Sequence, residues 1–389
     1  MLWSEGRGPI LVAAAAGWFL SIGVRMIYPV VLPQLRAAYD LDLATAGVLL
    51  TVLFLAYGLG QLPGGLLADR FGERVVLAGS TAVSAVTLGL VVTAGSTAVL
   101  FVATALFGAG IALYAVARYT LLAELYPERV GAANGVTSAA ADAGQSVLPP
   151  IGGLIAAALA WQFGFAFAIP LFVVVAVALW LVVPAGGRDA AGDEGALSLG
   201  AAREVFAGLR RPSVGYGTVT LLLGVCLWQA FTGFYPTYLI EQKGLSATRA
   251  GILFGLFFAL GVAVQPLSGA AYDRIGIRRS LAVVMGISAV GVAALPFVDG
   301  LGPLVVVTVL SSALLGFATI TQSYLIVALP AEIQGSGFGV IRTVSFTVGA
   351  ASPAAFGAAA DLGFFDEAFL ALAALALVVI AMTSRLPEG

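Results

Sequence analysis

Helix-length apolar runs fill almost the whole chain. Twelve can be placed along the 389 residues, at 9–34, 43–68, 75–95, 98–123, 130–157, 161–184, 214–239, 247–271, 279–297, 302–329, 335–359 and 365–385. A helix needs roughly 20 apolar residues to cross the hydrocarbon of a bilayer. These runs reach that length, and they lack the alternating ten-residue pattern of a membrane barrel. Only 10% of residues are charged, against about 25% in a soluble domain. Lipid must therefore solvate most of the chain, and the expected fold is an all-α integral membrane protein. The first run continues to Pro33, too long for the apolar part of a secretory signal, so it reads as the first permanent span.

Residues 185–211 form the longest polar stretch, with Arg188, Asp189, Asp193, Glu194, Arg203, Glu204, Arg210 and Arg211. They read as a linker between two six-helix halves, 1–184 and 212–389, and Leu197–Leu209 has the composition of a surface helix. Basic residues set the orientation. With both termini cytoplasmic, twelve arginines fall in inner loops, and only Arg36, Lys243 and Arg249 fall outside. The expectation is a multi-pass protein of the plasma membrane. A net charge of −2 gives no reason to expect nucleic acid as a partner. There is no histidine, Cys226 is the only cysteine, and no nucleophile–base pair or cofactor loop is legible. No metal, cofactor or enzymatic activity is expected.

The chain repeats itself. Residues 61–74 read QLPGGLLADRFGER and residues 265–278 read QPLSGAAYDRIGIR. A shift of 204 positions superimposes Gly65 on Gly269, Asp69 on Asp273, Arg70 on Arg274, Gly72 on Gly276 and Arg74 on Arg278. Six spans separate the copies, an even number, so the halves run in parallel about an axis along the membrane normal. Repeats of this kind place a substrate site between the halves. Gly65 and Gly269 suit close helix approach, and Asp69 and Asp273 suit hydrogen bonds to helix-end N–H groups. Gly72 and Gly276 suit a positive φ. Arg74 and Arg278 are placed to pair with acids such as Glu124 and Glu332.

With those loops the chain resembles the major facilitator superfamily over its whole length. The signature between spans two and three, G-x-x-x-D-R-x-G-R-R, appears as Gly65 to Arg74, with Glu73 in place of a basic residue. The second copy carries Gly269, Asp273, Arg274, Gly276, Arg278 and Arg279. The resemblance implies a monomeric secondary transporter working by alternating access, with these loops as its conformational switch. No ATP-binding motif is present. In the fifth span, Gly144, Pro149, Gly152 and Gly153 are similar to an antiporter motif, with Leu148 where a second glycine is expected. Thr104 stands where many members have an arginine.

Four ionisable residues fall inside spans: Arg25, Arg118, Asp142 and Arg342. Such charges face a bundle interior or a water-filled cavity. At 1.5 Å per residue Arg25 lies about 13 Å from the outer end of its span, while Arg118 and Arg342 lie about 8–11 Å from the cytoplasmic side, within snorkelling reach. Three cations against one anion suit a small organic anion, a carboxylate above all. Arg25 is the expected anchor, Arg118 or Arg342 assists, and Asp142 is the candidate for proton coupling. Tyr28, Tyr114, Trp228, Gln229, Tyr235 and Gln322 are further candidate contacts. The other reading is proton-driven export of amphipathic, drug-like compounds, drawing on the fifth-span motif and the aromatic residues.

Overall fold

The computed structural model describes residues 7–185, 211–329 and 334–386, apart from the side chains of Leu62 and residues 334–336. The expected linker arginines and acids from Arg188 to Arg210, the surface helix Leu197–Leu209, and Glu332 lie outside those residues.

The first part of the chain folds as α1 (Arg7–Arg25), α2 (Ile27–Tyr39), α3 (Leu43–Phe71), α4 (Glu73–Val92), α5 (Thr97–Leu125), α6 (Val130–Ala158), α7 (Phe163–Ala166) and α8 (Ala168–Val182). The second follows as α9 (Pro212–Glu241), α10 (Ala247–Ala259), α11 (Gly261–Ala294), α12 (Leu301–Ser312), α13 (Gly316–Ala328), α14 (Gln334–Gly349), α15 (Ser352–Asp361) and α16 (Phe365–Thr383). Some of these share one span. Helices α1 and α2 form a single 33-residue apolar stretch, and 247–297 form one of 51 residues, long enough to cross twice. Helix α6 and the α14–α15 pair are less apolar because they carry Asp142 and Arg342, but they have spanning length. Among the described residues the helices thus supply twelve stretches of spanning length.

The chain divides into two compact units, residues 1–191 with 236–255, and residues 192–235 with 256–389. In the first, α3 packs on α5, α1 on α6, and α4 on α5 and α8. In the second, α11 packs on α12, α13 and α16. Without a hydrophobic drive between helices in lipid, small residues at the crossings set the contacts. A Cβ on Gly144 would collide with the Phe19 carbonyl, one on Gly152 would lie 2.8 Å from Ile27 Cγ2, and one on Gly153 2.5 Å from Val30 Cγ1. The fifth-span glycines thus seat α1 and α2 against α6. Segment 236–255 joins this unit through close contacts of the same kind. A Cβ on Gly255 would lie 2.6 Å from Pro150 Cγ, and Arg36 forms an ion pair with Glu241.

Proline explains the break between α1 and α2. Pro29 has no N–H to offer the Arg25 carbonyl four residues earlier. The helix ends at Arg25, and the Met26 N–H turns back to the Gly23 carbonyl at 3.1 Å. Arg25 therefore occupies the last turn of α1, where the helix dipole favours a cation.

The repeated loop is tighter than a five-residue turn. One residue, Gly72, separates α3 from α4, with φ 81° and ψ 154°. Gly276, 204 positions later, has φ 72° and ψ 174° inside α11. Only glycine adopts this region without strain. No side chain caps the start of α4. Asp69 is still inside α3, and helical side chains lean toward their own N-terminus, which takes its carboxylate away from that start. Arg74 lies over the Trp180 ring, 4.5 Å from its centroid, and Arg278 Nε donates to the Leu386 carbonyl. A Cβ on Gly65 would lie 3.3 Å from Val116, and one on Gly269 3.7 Å from Thr319.

Asp42 caps α3. Its carboxylate accepts the Thr45 N–H at 2.7 Å, and that bond, with a smaller contribution from Arg36, holds the group below the ordinary carboxylate range.

Two outcomes follow. Gly72→Ala and Gly276→Ala should each cost about 1–3 kcal/mol, seen as lower thermal midpoints of the purified protein. Gly79→Ala, where an added Cβ meets nothing within 4 Å, should be neutral or stabilising. For Asp42 the folded-state pKa is depressed, so its stabilisation is present above the unfolded value and lost as pH falls through the folded one. Asp42→Asn caps comparably without titrating. Its midpoint should gain on wild type as pH drops below about 4.

Candidate functional site

Each unit holds a group of buried polar and aromatic side chains around the charges that interrupt its apolar helices. In the first, α5 carries Tyr114 and, one turn on, Arg118. Tyr114 stacks on Trp18 of α1 with centroids 6.1 Å apart and planes 9° from parallel, and its hydroxyl donates to the Ala14 carbonyl at 2.9 Å. The Arg118 guanidinium carbon lies 4.6 Å from the Trp18 ring centroid and 4.1 Å from that of Tyr119. Nη1 donates to Thr137 Oγ1 on α6, while Nε and Nη2 are buried and make no hydrogen bond among the described residues.

Arg118 is 0% exposed. Its depth leaves it within reach of the interface, yet it turns inward, because Trp18 and Tyr119 stack against it and Thr137 binds its tip. A cation over an aromatic face gains about 0.5–2 kcal/mol, the upper end applying when it is desolvated.

Arg25 is 4% exposed and faces α3. Its guanidinium carbon lies 4.4 Å from the Tyr57 ring centroid and 5.6 Å from that of Phe54. Tyr57 is also near enough to Arg118 to interact with it electrostatically. One aromatic residue thus stands close to both cations. Asp142, half-buried on α6, accepts from Gln145 Nε2 at 3.5 Å, and its carbonyl accepts the Ser146 hydroxyl at 2.7 Å.

In the second unit, Gln229 of α9 donates to the Phe346 carbonyl of α14 at 3.3 Å, and its own Oε1 is buried without a hydrogen bond among the described residues. Arg342, one turn before Phe346, is half-buried with its guanidinium carbon 5.6 Å from that ring. Trp228 and Gln322 are half-buried on α9 and α13.

Tyr28 and Tyr235 have another surrounding. Both are fully buried. The Tyr28 hydroxyl pairs with Thr104 Oγ1 at 3.3 Å, and that of Tyr235 with Thr308 Oγ1 at 2.5 Å. The two threonines are 204 positions apart, so the sequence repeat recurs as a repeated internal hydrogen bond. It also gives Thr104 a role at the position where an arginine is commonly found.

Sequence reasoning missed Phe54, Tyr57, Tyr119 and Thr137. Phe54 and Tyr57 are three residues apart on one helix face, a spacing that was open to notice. Nothing local marks Tyr119 or Thr137.

Twelve helical stretches of spanning length among the described residues, in two units that share a repeated loop and a repeated tyrosine–threonine bond, have the organisation of a multi-pass membrane protein. A sequence model of the Major Facilitator Superfamily matches residues 13–353. The chain belongs to that family and is a transporter, not an enzyme. It is 30% identical over 278 residues to the 2-nitroimidazole transporter of Escherichia coli (strain K12), covering 68% of this chain and 67% of that one. It is 25% identical over 407 residues to a probable sulfoacetate transporter, SauU, of Cupriavidus necator, covering 95% and 91%. A solved bacterial homolog to the human lysosomal transporter Spinster, inward-facing and unoccupied, matches with TM-score 0.80 at 14% identity over 98% of this chain and 96% of that one. At that identity the likeness is one of fold.

The Trp18–Arg118 contact can be measured by a double-mutant cycle on thermal stability. Trp18→Leu and Arg118→Lys should each destabilise, and the double variant should lose about 1–2 kcal/mol less than their sum.

Proposed function

We propose that the protein is a secondary transporter for a small organic anion carrying a carboxylate or sulfonate group, working by alternating access and coupled to protons. The observation that carries this reading is Arg118. It is fully buried, its charge is permanent, and its Nε and Nη2 make no hydrogen bond among the described residues. Leaving a buried charged donor unpaired is costly, and an anionic oxygen would meet those donors bidentately. Arg25 supplies a second cation within the same unit, and Tyr57 and Trp18 supply flat walls. The likeness to a probable sulfoacetate transporter supports an anion of this class.

Arg25 and Arg118 are the proposed anchors. Arg342 and Gln229 of the second unit are further candidate contacts, and Asp142 takes and releases the coupling proton. Both termini are placed in the cytoplasm by the arginine distribution, and the protein acts as a monomer in the plasma membrane. A second reading, export of flat aromatic compounds by proton exchange, draws on Trp18, Tyr114 and Trp228 and on the likeness to the 2-nitroimidazole transporter.

Uptake of labelled sulfoacetate and aromatic carboxylates into proteoliposomes separates the two. Arg25→Ala and Arg118→Gln should each lower anion uptake at least tenfold while the protein stays folded. Asp142→Asn should lose gradient-driven uptake but keep counterflow exchange. Undiminished anion transport in both arginine variants, with resistance to aromatic drugs conferred on a pump-deficient host, would favour the export reading instead.

A further inference from the structure

The bend at Gly276 opens a cleft at one end of the second unit. Its volume is about 840 Å³, and its walls come from the start of α9, the middle of α11 and the end of α13. Three arginines line it: Arg274, Arg278 and Arg279. Arg274 and Arg279 are exposed, and Arg278 is half-buried with its Nε on the Leu386 carbonyl. Asp273 is the one acid among the lining residues, so the wall carries a net charge of two positive.

The corresponding stretch of the first unit differs. Asp69, Arg70, Glu73 and Arg74 sum to zero, and the Arg74 guanidinium is spent on the Trp180 ring at 4.5 Å. Tight turning is shared by both copies. The charge excess belongs to one, so the turn does not require it.

The cleft is also not wholly polar. Ile275 and Val327 line it with 42% and 73% exposure. Guanidinium groups grip phosphate oxygens in a fixed planar geometry, and basic pockets between helix ends at a membrane surface are matched to acidic lipid headgroups. A free phosphate would use the arginines alone. A phospholipid would use both the arginines and the apolar rim.

We propose that this cleft seats the phosphate headgroup of an acidic phospholipid on Arg274, Arg278 and Arg279, with its acyl chains running over Ile275 and Val327. A bound lipid would brace the turn at Gly276 from outside the transport site.

The test uses the full-length protein purified in detergent and re-exposed to phosphatidylglycerol, phosphatidylcholine or glycerol phosphate. Phosphatidylglycerol should raise the thermal midpoint through preferential binding to the folded state, and it should be retained in native mass spectra. Phosphatidylcholine and glycerol phosphate should do neither. The double variant Arg274→Gln/Arg279→Gln should lower retention at least tenfold, and Arg274→Lys/Arg279→Lys should recover part of it. Arg70→Gln in the other copy should leave retention unchanged. If the double glutamine variant folds poorly, Arg279→Gln alone, altered at an exposed side chain, should show the same loss at smaller amplitude. Equal retention of phosphatidylcholine, an unaltered response in the glutamine variants, or an equal loss on Arg70→Gln would overturn the site. An equal effect of glycerol phosphate would assign the cleft to a soluble phosphate ester rather than a lipid.

Discussion

Hydrocarbon offers no hydrogen-bond partner, so every backbone N–H and C=O that crosses it must be satisfied within the chain. The rest of the structure depends on that constraint. It explains why the described spans are helical, and Pro29, Gly72 and Gly276 are three places where sequence turns the backbone off the helical path. It reaches the side chains as well. Many hydroxyls inside the helices bond back to carbonyls of the preceding turn, as Thr81 does to Leu77 at 2.7 Å, Thr220 to Tyr216 at 2.8 Å and Thr321 to Phe317 at 2.8 Å. These residues add polarity to a span without adding an unmet donor. Arg118 differs from these residues in being a fully buried cation whose Nε and Nη2 make no hydrogen bond among the described residues.

Close packing supplies the geometry. Glycines at the α1–α6 crossing bring the backbones of Gly23 and Gly144 together. Arg25 ends α1, and Asp142 lies on α6, the helix against which α1 packs. A Cβ on Gly108 of α5 would likewise lie 2.6 Å from the Leu53 carbonyl of α3, which sets Tyr57 and Arg118 on neighbouring helices. Aromatic faces lie against both cations, and Thr137 accepts a hydrogen bond from Arg118. Rings attract the charge without neutralising it.

Repetition and its exceptions divide scaffold from function. The tyrosine–threonine bond and the positive-φ glycine occur in both units, and both serve the helical frame. Arg25 has Thr232 as its counterpart, four residues before Pro236 just as Arg25 precedes Pro29, and Thr232 bonds quietly to the Trp228 carbonyl at 2.7 Å. The frame evidently tolerates a neutral residue there. A charge kept in one unit only, at a cost in the bilayer, points to a task that the frame does not set.

Much of this was legible in the amino-acid sequence. Span positions agreed with the helices to within about five residues, as expected of boundary estimates, because hydropathy and the bilayer's thickness act along the chain. The repeat, and the left-handed backbone at Gly72 and Gly276, were legible for the same reason: loop chemistry is local. What only tertiary structure decided is which way each side chain faces and what it meets. Depth along α5 placed Arg118 within reach of water, but rotation of that helix against α1 and α6 buried it beneath Trp18. Tyr28 and Tyr235 read as site residues, and packing pairs their hydroxyls with threonines, while Arg74 found a tryptophan ring. Apolar character and length are properties of a segment. Facing is a property of a helix's rotation among its neighbours, and the glycine crossings that set it bring together residues far apart in the chain.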